Sequence, residues 1–248
     1  RRRPQLVAHM GDTTDAAPNT LQAFEDAVHS GADMIEIDVS VTVDGVAVAT
    51  HGPHLQEWTD GAGKVHEVHW DIVRELRARI EAHGQVGPER VPSLEAVLGC
   101  IDGRLPVNLD IKWPSALDAA VDALGPRAHE QWGVFSGLTP GLVRWALHRR
   151  PGIPVLVNLT RFDAFVARSA FLRRRWLTRP SMRRLLRRDE VIALNVNHRL
   201  VDQALVQAVH HVGAQVWVYT APDQATVDKL AAIDVDSITV NKASTFRL

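Results

Sequence analysis

The stretch "MIEIDVSVTVDGVAVATH" (residues 34–51) contains a strand of mostly apolar residues, followed by a turn and a second β run that leads back along the first. The first strand carries two carboxylates, Glu36 and Asp38, which share one face because successive strand residues point to opposite sides. The Asp-Gly dipeptide at 44–45 is the strongest short signal for a two-residue hairpin turn. With that turn, Asp38 lies opposite His51, and opposed residues share a sheet face. The stretch therefore predicts three polar side chains that converge on one face of a buried sheet.

Strand-like runs recur along the rest of the chain and alternate with amphipathic helical patterns. The predicted strands cover residues 5–9, 34–39, 106–111, 132–136, 154–159, 191–196, 215–219 and 237–240. In the first helical pattern, Asn19 is expected to be the N-cap and Gly31 to end the helix. Eight strands separated by helices predict an α/β fold, a single-domain (β/α)8 TIM barrel over residues 1–248 to which the hairpin is an addition. Residues 52–69 form a long loop that is expected to belong to the active site.

Charge is unevenly distributed along a chain that has 28 basic and 29 acidic residues. Residues 161–188 contain ten arginines and one aspartate, with aromatic residues near helical spacing. We interpret them as a basic helical insert, either a lid or an interfacial helix that contacts anionic lipid headgroups at a membrane surface. An ordinary barrel helix with an arginine-rich solvent face is the alternative. No pattern indicates nucleic-acid binding.

Other global features restrict the class of protein. Hydrophobic residues make up 46% of the chain, but the apolar runs have strand length, so no membrane span is predicted. The single cysteine, Cys100, excludes a disulfide within the chain. The chain begins with three arginines and no methionine, which leaves an upstream signal peptide or anchor open. A cytoplasmic or membrane-peripheral monomer is expected, with secretion as an alternative.

Polar side chains also end the first and third parallel strands. The run "VNLDIKW" (107–113) places Asn108, Asp110 and Lys112 on one face, and His9 is the last residue of the first strand. In a (β/α)8 barrel the carboxyl ends of the strands meet at one rim, which carries the catalytic groups. We therefore expect these side chains to lie beside the polar residues of the hairpin.

Three neighbouring carboxylates, Glu36, Asp38 and Asp110, would repel one another unless a cation neutralised them. A ligand set made only of oxygen favours a hard ion, so Mg²⁺ or Ca²⁺ is the expected cofactor. The two histidines of the set titrate near neutral pH and could act as acid and base around that ion. The lysine of the third strand could stabilise a substrate oxyanion. Together these groups point to a phosphate ester as the substrate.

At these residues the chain resembles the glycerophosphodiester phosphodiesterase superfamily, from "AHMGDTTDAAPNTLQAFEDAVHSGADMIEIDVSVTVDGVAVATHG" through "VPSLEAVL", "VNLDIK" and "VWVYT" to "VDSITVN". The resemblance implies a (β/α)8 barrel with one divalent ion, Mg²⁺ or Ca²⁺. The implied metal ligands are Glu36, Asp38 and Asp110. The implied catalytic acid and base are His9 and His51. The resemblance also assigns Lys112 to the phosphate and Trp217 to the headgroup, and Asn108, on the strand face of Lys112, is a further substrate-binding candidate.

Four motifs depart from the common family pattern. His9-Met10-Gly11 replaces His-Arg-Gly, Pro18-Asn19-Thr20 replaces Glu-Asn-Thr, His51-Gly52 replaces His-Asp, and Asp110-Ile111-Lys112 replaces Glu-x-Lys. The first, third and fourth changes are similar to the sphingomyelinase D/phospholipase D branch of the superfamily. That branch removes choline-type headgroups from sphingomyelin or lysophospholipids, often by internal attack of a lipid hydroxyl that gives a cyclic phosphate.

The function implied by the resemblance is metal-dependent cleavage of glycerophosphodiesters or lysophospholipid-type phosphodiesters. His9 is expected to deprotonate the attacking hydroxyl, from water or from the substrate itself, and His51 to protonate the departing oxygen. Two alternatives stay open: a sphingomyelinase D/phospholipase D-like lyase that forms a cyclic phosphate, and a non-catalytic barrel that binds lipid or phosphate. The expected partners are a phosphodiester small molecule or lysophospholipid and, through residues 161–188, a membrane surface.

Overall fold

The structure of the protein is a computed structural model that describes residues 3–129, 132–159 and 179–248. The strands are β1 (Gln5–His9), β2 (Met34–Val41), β3 (Ala47–Ala49), β4 (Arg77–Arg79), β5 (Val86–Arg90), β6 (Val107–Ile111), β7 (Gly133–Ser136), β8 (Val155–Asn158), β9 (Val191–Asn197), β10 (Gln215–Ala221) and β11 (Ser237–Val240). The α-helices of the described residues are α1 (Leu21–His29), α2 (Leu55–Trp58), α3 (Trp70–Val73), α4 (Leu94–Ile101), α5 (Ala116–Leu124), α6 (Pro140–Arg149), α7 (Pro180–Leu186), α8 (Gln203–His210) and α9 (Gln224–Ala232).

Nine strands form one sheet in the order β1-β11-β10-β9-β8-β7-β6-β2-β3. Because β1 also pairs in parallel with β2, eight of the strands close into the (β/α)8 barrel predicted from the sequence. All eight predicted strands are present, within two residues of their predicted ends. The ninth strand, β3, runs antiparallel to β2 and is the return of the predicted hairpin.

The chain divides into two compact units. One comprises Val7–Gly133 and Asn241–Thr245, and it contains β2 to β6 and α1 to α5. The other comprises the described parts of Arg1–Leu6, Val134–Val240 and Phe246–Leu248, and it contains β8 to β11 and α6 to α9. In this second unit, the helices α6, α8 and α9 begin at side-chain caps from Thr139, Asp202 and Asp223. The assignment of one domain to residues 1–248 stays a prediction.

The strand β2 is buried along its whole length. This is the pattern of a parallel strand whose two faces are both covered. Ile35 and Ile37 lie on one face, whereas Glu36 and Asp38 lie on the other. The two carboxylates therefore occupy a buried face of the sheet, as the alternation of the sequence predicted.

The first helix is capped by Thr20, whose hydroxyl accepts a hydrogen bond from the Ala23 N–H. The prediction that Asn19 is the cap was wrong, because Asn19 has a left-handed backbone with a φ of 59°. An N-cap residue instead has extended dihedral angles. Gly31 follows the helix as predicted, with a φ of 86°. The side chain of Asn19 is therefore available for a different role.

The hairpin between β2 and β3 has a three-residue loop, and its register differs by one residue from the prediction. The Thr50 N–H donates to the Asp38 carbonyl over 3.1 Å, so the predicted pairing of Asp38 with His51 was wrong. The loop at 43–45 ends at Gly45, which takes a left-handed φ of 86°. A turn followed by a left-handed glycine is the common three-residue alternative to the two-residue turn. His51 therefore lies beyond the end of β3.

Residues 52–69, predicted as a long loop, contain the helix α2 and a 3₁₀ helix at Val65–Glu67. Their side chains contribute to an apolar cluster that consists of Val48, Leu55, Val65, Val73 and Val91. After this segment, β4 and β5 form a separate antiparallel sheet that the sequence did not predict. The strand β4 reads Arg-Ala-Arg, which is too short and too polar to show strand periodicity.

Residues 160–178 lie outside the described residues, and so does the predicted lid or interfacial helix for that part of the 161–188 insert. The last part of the insert is the helix α7, which buries Met182, Leu185 and Leu186. Within the described ranges, no helix combines the length and the apolar character that crossing a membrane requires.

Candidate active site

The three predicted metal ligands lie together on β2 and β6. In the parallel register Asp38 is directly opposite Asp110, and Glu36 is opposite Asn108. Each of the three acids offers one carboxylate oxygen, and these oxygens all lie within 4.8 Å of one another. Glu36 and Asp38 are buried, and Asp110 is half-buried. The fold therefore assembles this acidic triad, Glu36, Asp38 and Asp110, inside one compact unit.

Lys112 places a positive charge inside the acidic triad. Its Nζ lies 2.6 Å from Asp38 Oδ1, and it also donates to Asp110 Oδ2. Burial disfavours the ammonium form, but the charges of Asp38, Asp110 and Glu36 outweigh burial and raise the pKa of Lys112 above its ordinary value. Lys112 is therefore charged and paired with carboxylates. Its predicted contact with a substrate phosphate stays a prediction.

The pKa values of Glu36 and Asp38 are shifted in opposite directions although the two residues share one strand face. Burial, together with the charges of Asp38 and Asp110, raises the pKa of Glu36 well above its usual range. The Met10 N–H donates to Glu36 Oε2 over 2.9 Å and opposes this shift only in part. Burial also acts to raise the pKa of Asp38, but Lys112 and the two histidines hold it below its usual range. The pKa values of these two neighbouring carboxyl groups are therefore shifted in opposite directions.

This balance of charge fits a divalent cation. The single positive charge of Lys112 does not balance three carboxylates, and the pKa of Glu36 stays raised beside it. A dication in contact with the triad would let all three acids ionise. Every donor of the triad is a carboxylate oxygen, the ligand type that Mg²⁺ and Ca²⁺ prefer. Glu36, Asp38 and Asp110 are therefore the residues that could hold such an ion.

Asn19 belongs to this site, although its sequence position suggested a helix cap. Its Nδ2 donates to Asp38 Oδ2 over 2.8 Å, and its Oδ1 accepts from the Asp38 N–H over 3.2 Å. The signal in the sequence was the pair Asn19-Thr20, which offers two capping residues for a single cap position.

His9 stands at the end of β1, next to the acidic triad. Its Nε2 lies 3.9 Å from Glu36 Oε2, and its Nδ1 lies 2.7 Å from Asn241 Oδ1. Because an amide oxygen accepts but does not donate, the second contact requires a proton on Nδ1 and leaves a lone pair on Nε2. Asn241 escaped the sequence-based reasoning, although it directly follows the last strand and thus belongs to the rim where catalytic groups are expected.

His51 is held by packing against an aromatic ring. The centroid of its ring lies 5.0 Å from that of Trp58, a residue of α2. Its Nδ1 is buried and has no hydrogen-bond partner within the described residues. Burial lowers the pKa of His51, and the charge of Asp38 opposes this effect only in part. The 52–69 segment therefore contributes a side chain that contacts one of the two predicted catalytic histidines.

The two remaining substrate-binding candidates differ in their surroundings. Asn108 is buried on β6, and its Oδ1 lacks a hydrogen-bond partner in the described part of the chain. Trp217 belongs to the second unit, where its Nε1 donates over 2.7 Å to Gln215 at the amino end of β10. Tyr219 shares the strand face of Trp217 and lies two residues closer to the carboxyl end. Headgroup binding by Trp217 stays a prediction, and Tyr219 is a second aromatic candidate.

Comparison with known protein sequences adds an independent line of argument. The pattern of the Glycerophosphoryl diester phosphodiesterase family matches residues 9–130, which include both histidines and the acidic triad. The chain is 30% identical over 253 residues to the "Probable glycerophosphodiester phosphodiesterase 2" of Mycobacterium tuberculosis, covering 97% of this chain and 88% of that protein. It is 28% identical over 255 residues to an Arabidopsis thaliana glycerophosphodiester phosphodiesterase, covering 98% of this chain and 72% of that protein.

Solved structures agree on the fold. A phosphodiesterase of Oleispira antarctica, solved with the product sn-glycerol-3-phosphate, superimposes with a TM-score of 0.76 at 21% identity, covering 98% of this chain and 94% of the other. A glycerophosphodiester phosphodiesterase of Agrobacterium tumefaciens superimposes with a TM-score of 0.73 at 22% identity, covering 97% of both chains. At this level of identity the likeness establishes the (β/α)8 fold.

Proposed function

We propose that this chain, which belongs to the glycerophosphoryl diester phosphodiesterase family of phosphoric diester hydrolases, needs a divalent metal ion for activity. The proposed substrates are glycerophosphodiesters or lysophospholipid-type phosphodiesters. The observation that carries the proposal is the acidic triad. One carboxylate oxygen from each acid lies within 4.8 Å of the others, and His9 and His51 stand close enough to interact with the carboxylates electrostatically. The sn-glycerol-3-phosphate in the Oleispira antarctica phosphodiesterase supports a small phosphodiester as the substrate class.

The ion, Mg²⁺ or Ca²⁺, would be held by Glu36, Asp38 and Asp110. When bound, it supplies Lewis-acid polarisation of the non-bridging oxygens of the phosphodiester. Lys112 remains close to the same carboxylates and keeps positive charge near the position where the phosphate gains negative charge.

His9 is the proposed general base. Its Nδ1–H donates to Asn241 Oδ1 over 2.7 Å, which orients the ring and leaves the Nε2 lone pair free to accept a proton. The proton comes from the attacking hydroxyl, which belongs either to water or to the substrate's own alcohol. Asn241 thus stabilises the Nδ1–H tautomer of His9, which is the tautomer that a base acting through Nε2 requires.

His51 is the proposed general acid, which protonates the departing oxygen. Burial lowers the pKa of His51 and therefore makes its imidazolium a stronger acid than an exposed histidine. The ring of Trp58 limits the orientations that the imidazole can take. Both features support proton donation at this position.

The test is turnover of glycerophosphocholine and of lysophosphatidylcholine by the purified protein, with and without EDTA. We expect loss of activity in EDTA and recovery when Mg²⁺ or Ca²⁺ is added back. Turnover that is unaffected by the chelator would contradict the metal assignment. If no diester is turned over, the non-catalytic lipid- or phosphate-binding barrel becomes the better explanation.

The sphingomyelinase D/phospholipase D-like alternative differs in its product. Hydrolysis gives a linear phosphate monoester, whereas internal attack by a substrate hydroxyl gives a cyclic phosphate. Phosphorus NMR of the lysophosphatidylcholine reaction separates the two, because the two phosphates have different chemical shifts. We expect the linear product for glycerophosphocholine. A cyclic product from lysophosphatidylcholine would favour the lyase.

We also propose that the described end of the basic insert contacts anionic lipid. In α7 the buried side chains Met182, Leu185 and Leu186 face the protein, while Arg184 and Arg187 are exposed and line an open groove with Pro180 and Arg183. Guanidinium groups pair well with phosphate. Vesicles of phosphatidylcholine with and without phosphatidylserine provide the test. Binding should require phosphatidylserine and should decrease in an Arg184→Gln/Arg187→Gln variant. Equal binding to both vesicles would contradict the contact.

A further inference from the structure

Asn19 is a buried polar residue in an uncommon backbone conformation beside the acidic triad. Its φ of 59° lies in the left-handed region, which few residue types other than glycine adopt, asparagine among them. Its N–H donates to the Met10 carbonyl over 2.9 Å, and only 4% of its surface is exposed. Helix capping does not explain its presence, because Thr20 performs that function.

Both ends of the Asn19 side-chain amide are hydrogen-bonded to one residue, Asp38. Its Nδ2 donates to Asp38 Oδ2 over 2.8 Å, and its Oδ1 accepts from the Asp38 backbone N–H over 3.2 Å. The bond that Asn19 Oδ1 accepts fixes the planar amide to the Asp38 backbone, and the bond that Nδ2 donates then restricts rotation of the Asp38 carboxylate about its Cβ–Cγ bond. The other oxygen, Oδ1, consequently faces Lys112, whose Nζ lies 2.6 Å away.

We propose that Asn19 is a positioning residue that determines which oxygen of Asp38 is presented to a divalent cation. The inference rests on the proposed metal-dependent function and adds a residue to it. Oδ2 is committed to the Asn19 amide, so Oδ1 is the oxygen left for the ion. Oδ1 is also the partner of Lys112. The Asn19 amide keeps the carboxylate in one orientation, so that Oδ1 faces the position where Lys112 and a bound divalent ion would share it.

The variant Asn19→Gly separates the effect of the side-chain amide from the effect of the backbone conformation. Glycine adopts a φ near 59° without strain, so the variant removes both side-chain hydrogen bonds and keeps the local chain path. The dissociation constant for Mg²⁺ or Ca²⁺ is measured by calorimetric titration of the metal-free protein. Loss of a group that orients a metal ligand typically weakens affinity roughly 10- to 100-fold, and we expect a change of that size.

Two control variants separate this role from a structural one. His83 also has a left-handed φ, of 57°, but it is exposed in the turn between β4 and β5, so His83→Gly should leave metal affinity unchanged. Thr20→Ala removes the cap of α1 and should lower the melting temperature without a comparable change in metal affinity. In Asn19→Gly, by contrast, activity should recover in part when the metal concentration is raised.

The outcomes distinguish this inference from the proposed function. If the wild-type protein itself binds neither ion, the metal-dependent function fails. If the wild type binds an ion and Asn19→Gly binds it with equal affinity, the positioning role of Asn19 is overturned and the function stands.

A second measurement on the wild type does not depend on the folding of a variant. In ¹⁵N-labelled protein the Asn19 Nδ2 protons should be protected from solvent exchange, because both the burial and the bond to Asp38 persist with and without metal. Their chemical shifts should change when Mg²⁺ is added, since Oδ1 of the same carboxylate gains a new partner. Rapid solvent exchange of the Asn19 Nδ2 protons, or chemical shifts that do not change at saturating metal, would overturn the inference.

Discussion

Lys112→Met tests the electrostatic account of the acidic triad, because it removes the ammonium and keeps an unbranched side chain of similar length. Only 18% of the Lys112 side chain is exposed, and none of the Asp38 side chain is, so water screens this pair weakly. Removing one partner of a buried ion pair costs about 3–5 kcal/mol, and we expect about 3 kcal/mol because the remaining carboxylates can take up protons. With a shift of about 2–4 °C per kcal/mol for a chain of this size, the melting temperature of the metal-free variant should fall by roughly 6–12 °C.

The difference in stability between the wild type and Lys112→Met should depend on pH with a definite sign. The pKa of Lys112 is raised, so its contribution is complete below the unfolded value of 10.5 and is lost only as the pH rises above that value. The pKa of Asp38 is lowered, so its contribution is present above the unfolded value of 3.8 and is lost as the pH falls below it. The difference in stability between wild type and variant should therefore be largest between about pH 4 and pH 10 and shrink in acid.

A divalent ion should compensate for the missing ammonium. Calorimetric unfolding in EDTA and in millimolar Mg²⁺ or Ca²⁺ measures the effect, and the metal should raise the melting temperature of Lys112→Met more than that of the wild type. Lys64→Met is the matched control, because Lys64 forms an exposed pair with Glu67 at 3.3 Å, and such pairs contribute about 0–1 kcal/mol. Equal melting temperatures of wild type and Lys112→Met in EDTA would refute the reasoning about the triad. An equal gain from metal would refute the binding of the ion there.

His9→Ala and His51→Ala should each lower kcat by about 10²- to 10⁴-fold at an unchanged melting temperature, as loss of a general acid or base does; near-normal rates in either variant would remove that histidine from the mechanism. Trp58→Leu should lower kcat more than it changes KM, because it frees the His51 ring that lies 5.0 Å away, and an unchanged kcat would show that the contact does not orient the ring. Arg104→Ala should lower the melting temperature at neutral pH, because hydrogen bonds from Arg104 lower the pKa of Glu25 to about 2. That loss should disappear as the pH falls from about 4.5 towards 2, since Glu25 is protonated there in both proteins, and a pH-independent difference would contradict the assignment.

The strands and the clustering of the three carboxylates could be predicted because they depend on local periodicity. The alternation in residues 34–39 placed Glu36 and Asp38 on one face, and the next parallel strand placed Asp110 opposite Asp38. Such alternation follows from backbone geometry and needs no knowledge of distant contacts. The hairpin was predicted for the same reason, but its register was not. A left-handed Gly45 serves a two-residue and a three-residue loop equally well.

Three side chains, those of Asn19, Asn241 and Trp217, show what local patterns cannot supply. Asn19 was assigned to a helix cap, and only the folded chain shows its amide bound to Asp38. Asn241 meets His9 although 232 positions separate them in sequence. Trp217 matched an aromatic motif, yet its indole N–H turns to the amino end of its strand.

The amino-acid sequence by itself determined the strands of the barrel and the acidic triad, because each follows from residue type and strand period. Only the tertiary structure decided in which direction the pKa of each group is shifted and which atom each group faces. These properties depend on burial and on charges brought together from distant parts of the chain. The raised pKa of Glu36 and the charged state of Lys112 exist only when β2 and β6 lie side by side.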